Sequence, residues 1–368
     1  MTTSCLELHI LQTYPSSRLN RGEDGSAKSI YFGGSPRLRI SSQAQKRAER
    51  HHPHLRFGTP QGVRTKQPQD VILQVLTETN ADLVKLEQTP HVIRTALSAL
   101  YGEYDDKNRL KTPVFLGDDE LHRIAALLAV HLGRVTSIQD DRERTAAALL
   151  LLRDLRSGTA SPDLALYGRF VASQDGWDIE AATSYTHAIS THRANNVTDF
   201  FTAVDDLTGD SLHLGQMDIS APTMYRTAVL DISQLQRNLP GGDVQTVIRM
   251  WATRAVSSTP NGGRHGTFAS TQPEYVLLVV RRGGQPLTYA PAFEQAVYRD
   301  QHRSIAQVSA ERLEDYARRL PLLYGQNGQV SAQRVTLLTL PVPEHDSIET
   351  ASSLTAALDV ALKELQRE

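Results

Sequence analysis

Residues 6–11, LELHIL, set Leu6, Leu8 and Ile10 against Glu7 and His9, the period of two that predicts a half-buried strand. Residues 37–40, RLRI, repeat the pattern with Leu38 and Ile40 on one face and Arg37 and Arg39 on the other, so this strand should show a cationic face to solvent. Further strands are predicted at 164–171 (LALYGRFV), 223–231 (TMYRTAVLD) and 275–281 (YVLLVVR). Helical periodicity runs through 69–88, 91–101, 118–133 and 141–156, and again through 180–191, 243–256, 304–319 and 352–366. The four helices between 69 and 156 follow one another with hardly a strand signal, whereas strands and helices mix on either side. Runs of one type mark a separate subdomain inside an α+β chain. Its entry falls in HHPHLRFGTPQGVRTKQPQ (51–69) and its exit at SGTASP (157–162).

Composition narrows the class. At 368 residues and 40% hydrophobic content the chain can bury a real core, and its length suits about two domains. Cys5 is the only cysteine, which excludes an intrachain disulfide or a cysteine-rich metal cage and fits a reducing compartment. CLELHIL near the start carries Glu7 and His9, and AAALLLL at 146–152 is far too short to cross a bilayer. A soluble, cytoplasmic protein with no membrane partner is expected.

The net charge of −2 hides an asymmetry. Residues 1–66 hold eleven Lys and Arg against four Asp and Glu, a balance of +7, which leaves −9 for the rest. Charge of one sign gathered in this way concentrates polyanions. Its densest part is GGSPRLRISSQAQKRAER (33–50), with Arg37, Arg39, Lys46, Arg47 and Arg50 against Glu49. Ser42 with Gln45 fits a capping box, which starts a helix directly after the RLRI strand. On that helix Ala44 and Ala48 share a face suited to close packing, and Lys46 and Arg50 share another. Unpaired amides at the helix start, with Ser41, Ser42 and Gln43 beside them, are built like a phosphate cradle. The upstream loop SSRLNRGEDGSAKS (16–29) adds Arg18, Asn20, Arg21 and Lys28. A solvated basic helix is the alternative.

DFFTAVDDL (199–207) raises a second question, because Phe200 and Phe201 point to opposite sides of an extended backbone and cannot share one core face. Aromatic faces beside a cationic groove hold single-stranded nucleic acid without reading its sequence. Packing of one ring in the core and one at an interface is the alternative.

Catalytic signals are weaker. GDSL (209–212) matches a hydrolase nucleophile tetrapeptide, but the one Asp-x-x-His partner, Asp119 to His122, lies upstream of it. His51, His52 and His54 have no carboxylate or cysteine at ligand spacing. His187 and His192 are placed too far around a helix to share a metal. Asp205 and Asp206 diverge on an extended chain. No catalytic residue, metal or cofactor is assigned.

The motifs SSRLNR, YFGGSPRLRISSQAQKRAER, YGRFVAS, THAISTH and DFFTAVDDL, followed by HLG and YR (225–226), occur in the order and spacing of the CasC family, which the chain resembles from its first strand to about residue 300. This family is the backbone subunit of the type I-E CRISPR surveillance complex, Cascade. The resemblance implies an RRM-like (ferredoxin-like) palm over 1–58 and 162–368, an inserted helical fingers subdomain over 59–161, and a protruding thumb over 193–226. It implies copies stacked along a CRISPR guide RNA, with base pairing rather than protein reading the target DNA. The implied partners are neighbouring copies of the chain, the large and small Cascade subunits, and CasD and CasE type proteins. Carried over by position, Arg21, Lys28, Ser41, Gln43, Lys46 and Arg50 resemble RNA-backbone contacts, Phe200 and Phe201 the thumb residues at a kinked base, and Phe170 an apolar wedge beside it. Related backbone subunits of type III complexes cut RNA with a loop aspartate, and this likeness makes Asp24 the candidate for an alternative, metal-dependent endoribonuclease activity.

Overall fold

The computed structural model describes residues 4–23, 25–52, 61–79, 81–84, 89–136, 138, 140, 142–143, 146–147, 159–171, 177–209, 211–260, 262, 266–338 and 347–367. Asp24, His54 and Asp210 lie outside them, as does most of the helix expected at 141–156. The first strands are β1 (Ser4–Thr13), β2 (Ser29–Phe32), β3 (Ser35–Ile40), β4 (Val63–Thr65) and β5 (Val114–Leu116). They are followed by β6 (Thr183–Tyr185), β7 (Ala188–Ser190), β8 (Val197–Val204), β9 (Ser211–Ile219) and β10 (Thr223–Asp231). The last three are β11 (Tyr275–Arg282), β12 (Gln329–Thr336) and β13 (Glu349–Thr350). The fold is mixed α+β and divides into two compact units.

The first unit comprises Met1–Leu55, Thr183–Ile232 and Ile248–Glu368. Among its described residues the strands form a nine-stranded sheet in the order β13-β12-β11-β1-β10-β7-β3-β2, with β6 also paired to β10. Only the β12 and β13 pair is parallel. Helix α1 (Ser42–Arg50) and the helix Val244–Ser257 connect strands of this sheet. The strands at 223–231 and 275–281 stand where the sequence places them.

The half-buried reading of β1 is corrected. β1 lies between β10 and β11 at the middle of the sheet, and Glu7 and His9 are as buried as Leu6 and Leu8. Buried polar groups need partners. Arg281 donates from Nε to Glu7 Oε1 at 2.6 Å, and the His9 ring stacks on Tyr289 at 3.9 Å and 7°. Burial opposes the charge on Glu7, but the hydrogen bonds from His9 and Arg281 hold its carboxyl below the usual range. Burial keeps His9 neutral. Neutral His9 therefore donates from Nε2 to Glu7 Oε2 (3.2 Å) and accepts at Nδ1 from the Tyr225 hydroxyl (2.9 Å).

Arg37 is corrected in the same way, since it is fully buried rather than part of a solvent face. Gly33 and Gly34 form the two-residue turn between β2 and β3, with φ of +57° and +72°, the mirror-image turn that glycine permits. A Cβ on Gly33 would lie 1.7 Å from the Glu294 carbonyl oxygen, so glycine also lets the turn seat against that segment. The Arg37 guanidinium then donates from Nη1 to the carbonyls of Ser190 (3.0 Å) and Thr191 (2.7 Å), and from Nη2 to those of Phe293 (2.9 Å) and Glu294 (3.0 Å).

Two element assignments also change. The strand expected at 164–171 is a helix, Pro162–Tyr167, which Pro162 starts and Gly168, at φ +71°, stops. The helix expected at 180–191 is β6 and β7, because Thr183, Tyr185 and Ile189 pair into the sheet against or beside β10.

The second unit comprises Arg56–Ala182 and Ser233–Val247. Its helices Pro68–Thr79, Thr89–Tyr101 and Asp118–Thr136 pack through Ile72, Leu76, Ile93, Leu97, Ile124 and Leu128. Buried Arg169 clamps this unit, with Nη1 on Glu120 Oε2 at 2.7 Å and Nη2 on Glu120 Oε1 at 3.0 Å. Among the described residues no helix is long and apolar enough to cross a membrane.

Replacing Arg37 by Met removes four carbonyl contacts while keeping an apolar stem. The purified chain should lose on the order of 3 kcal/mol in urea unfolding. A solvent-facing Arg37 would give a change within about 0.5 kcal/mol.

Candidate nucleic-acid interface

Helix α1 is built from a cap and a polar stripe. The cap is Ser41, one residue before the expected Ser42, with its Oγ accepting from the Ala44 amide at 3.3 Å. The Ser41 amide in turn donates to Asn20 Oδ1 at 2.9 Å, which hooks the first loop onto the start of the helix. The buried face is Gln45 and Glu49, not an alanine seam, although Ala44 still touches the Leu38 and Ile40 cluster. Gln45 Nε2 donates to the Thr186 carbonyl at 3.0 Å, and the Tyr185 hydroxyl donates to Glu49 Oε2 at 2.5 Å. Trp251 Nε1 donates to that same hydroxyl at 2.7 Å, and Arg254 Nη1 reaches the Glu49 carbonyl at 3.1 Å. With positions 45 and 49 fixed inward, 43, 46, 47 and 50 are left toward the rim.

The rim has two flanks. Lys46 leans over the Tyr185 ring, its Nζ 5.3 Å from the centroid, and burial lowers its pKa below the usual lysine value. Arg50 is half-buried and Gln43 exposed, with Oε1 accepting from Ser42 Oγ at 3.4 Å. Arg47, about 100° further around the helix, turns to the other side. There it lines a cleft of about 900 Å³ together with Arg21, His51, His52 and Phe268. Glu23 is the one acid on the described wall of this cleft. Lys28 is placed by its backbone, which donates to Asn20 O (2.9 Å) and accepts from the Arg39 amide (2.8 Å). Beside it Arg39 Nη1 donates to His187 Nδ1 at 2.7 Å. Burial, then Arg39 and Lys28, lower the His187 pKa, so the ring accepts as a neutral base.

The predicted residues therefore do not form one cradle. Arg21 and Arg47 line one cleft, Lys28 lies near Arg39 and His187, Lys46 covers Tyr185, and Ser41 is used as a cap. His187 lies between β6 and β7, and His192 follows β7. Among the described residues no three His, Cys, Asp or Glu side chains gather to hold a metal ion. Sequence reasoning counted Arg47 among the cations without giving it a contact, and passed over Phe268. Phe268 lies far along the chain in a Gly-, Ser- and Thr-rich stretch, where only its isolation among small residues marks it.

Phe200 and Phe201 stand on the β8 and β9 hairpin, a two-stranded sheet of its own in which every β8 residue is exposed. Their rings are 64% and 44% exposed on opposite faces. Phe201 lies across Gly215, where a Cβ would come within 2.4 Å of its ring, so that ring is steadied. Asp205 closes the hairpin tip by accepting from the Leu207 (2.9 Å) and Thr208 (2.7 Å) amides, a role that sequence did not provide. Phe170 belongs to the other unit and is 83% exposed.

A cationic cleft beside a capped helix, with an exposed aromatic ring on its wall, equips a protein for single-stranded nucleic acid. The chain belongs to the family described as CT1975-like protein, which it matches over residues 6–360. It is similar to a chain of a "CRISPR RNA-guided surveillance complex, pre-nicking", at 26% identity and a TM-score of 0.81, covering 98% of this chain and 99% of that one. A chain of a "CRISPR RNA-guided surveillance complex" shares the fold at 23% identity and a TM-score of 0.73, with coverage of 98% and 99%. No curated protein matches the chain. At the level of subunits of such complexes, these likenesses agree with the resemblance drawn from the sequence.

Replacing both Phe200 and Phe201 by Ala should shift the unfolding free energy of the isolated chain by no more than about 1 kcal/mol, as for exposed sites. Core rings would cost about 3 to 5 kcal/mol each. Urea denaturation distinguishes the two outcomes.

Proposed function

We propose that the chain is the guide-RNA-binding backbone subunit of a Cascade surveillance complex of type I-E, the CasC subunit. Copies polymerise along the spacer of the guide and present its bases to target DNA in the cytoplasm, beside large, small, CasD and CasE type subunits. The observation that carries this reading is the end-to-end likeness to a chain of an RNA-guided surveillance complex, at an identity above the range where fold alone is shared. The sheet supports an RRM-like palm. Taking β1, β7, β10 and β11 in chain order, their spatial order is fourth, first, third, second, with α1 after the first and the helix Val244–Ser257 after the third. The helical unit corresponds in this reading to fingers and the β8 and β9 hairpin to the thumb.

In this account Arg21, Lys28, Gln43, Lys46 and Arg50 grip backbone phosphates, Ser41 fixes the helix end that faces them, and Phe200, Phe201 and Phe170 meet displaced bases. The phosphate term is independent of sequence and falls with salt. Lys46→Ala should weaken binding about equally for unrelated RNAs and lower the magnitude of the salt slope by about 1. Fluorescence titrations across a salt series measure both, and a loss confined to one sequence would show that Lys46 reads bases.

We assign Asp24 no catalytic role. Assembled complex given labelled complementary RNA and Mg²⁺ should leave it intact, with the wild type and Asp24→Ala alike. Cleavage that disappears in the variant would replace the scaffold reading by a metal-dependent endoribonuclease.

A further inference from the structure

We infer that the cleft between the first loop, α1 and the described residues 257–260, 262 and 266–270 holds one unstacked nucleotide of single-stranded RNA, with its base on the ring of Phe268 and its phosphate toward Arg21 and Arg47. This inference rests on the RNA-binding reading and adds a site for a base separate from Phe170, Phe200 and Phe201.

The ring is held out, not left loose. The next residue, Ala269, is buried against Leu38, Ile40 and Met224, which turns Phe268 outward at 71% exposure. Packing alone would favour the reverse arrangement, with the large ring inside and the small side chain in water. Downstream, Gln12 Nε2 donates to the Thr271 carbonyl at 2.7 Å and Thr271 Oγ1 donates to the Thr13 carbonyl at 2.9 Å, so the segment is tied to β1. Upstream, Gly262 meets the first loop so closely that a Cβ would lie 2.4 Å from the Arg18 carbonyl oxygen and 2.6 Å from that of Leu19. The described parts of the two segments thus meet at Gly262, and both line the cleft. Between them lies about 900 Å³ lined by Arg21, Arg47, His51 and His52 as well as the ring. A nucleotide needs a π face for its base and a cation for its phosphate, and both are present here. Glu23, on the described wall, disfavours a second anion beside it.

The ring's contribution should be stacking, which separates it from its neighbours by salt dependence. With the full chain and short oligouridine or oligoadenosine probes, Phe268→Ala should weaken binding roughly 5- to 100-fold with the salt slope unchanged. Arg47→Ala should instead lower the slope by about 1. Both native tryptophans, Trp177 and Trp251, are buried, so Phe268→Trp places a single exposed reporter in the cleft. Its emission should be quenched saturably over the concentrations at which anisotropy reports binding. Wild-type chain that binds no RNA overturns this inference and the proposed function together. Wild-type binding that Phe268→Ala leaves unchanged, or binding that leaves the Phe268→Trp emission unchanged, overturns the inference alone. A variant that binds RNA normally and fails only to form multi-copy assemblies shows that the ring contacts protein, and also overturns it.

Discussion

The basic surface depends on a guanidinium that never meets solvent. Arg37 gathers four backbone carbonyls from two distant segments around the strand that leads straight into α1. A buried charge without partners would cost several kcal/mol, so the strand holds one position. The cap at Ser41, the tether to Asn20 and the outward turn of Arg47 all follow from where that strand ends. A cationic cleft can bind a flexible polyanion tightly only if its charges are placed in advance, because ordering the site on binding costs affinity. Arg37 supplies that placement from beneath.

Two aromatic devices complete the surface, and they differ in kind. Phe200 and Phe201 project from a hairpin that pairs only with itself among the described residues, so their position relative to a ligand depends on what the hairpin lies against. Phe268 is held by the burial of the next residue, Ala269, against Leu38, Ile40 and Met224. If, as we propose, RNA is held both within this cleft and by the projecting hairpin, copies could sit side by side on one strand, and each added copy would gain from the last by raised local concentration.

The sequence was readable where side-chain polarity and exposure go together. The strands at 223–231 and 275–281 and the helices at 243–256 and 304–319 are all present, and the alternation rule put Phe200 and Phe201 on opposite faces. It misled where polar side chains are buried. Glu7, His9 and Arg37 read as the polar faces of their strands, Gln45 as half of a capping box and Glu49 as an acid among cations, yet each lies inside with partners drawn from remote parts of the chain. Those partners, such as Arg281 for Glu7 and Tyr185 for Glu49, have no local signature. The cleft was hidden for the same reason. Arg21 and Arg47 were visible as charge, but the wall carrying Phe268 comes from the far end of the sheet's connectivity, and only the packing of Ala269 and Gly262 brings it across.

The most direct measurement of the central claim is to purify the chain from cells that transcribe a CRISPR array, digest unprotected nucleic acid, and sequence what stays bound. The account predicts small RNAs of uniform length that carry spacer sequence with a repeat-derived end, bound to several copies of the chain. A nucleic-acid-free monomer, or random cellular RNA fragments with no spacer enrichment, would contradict it.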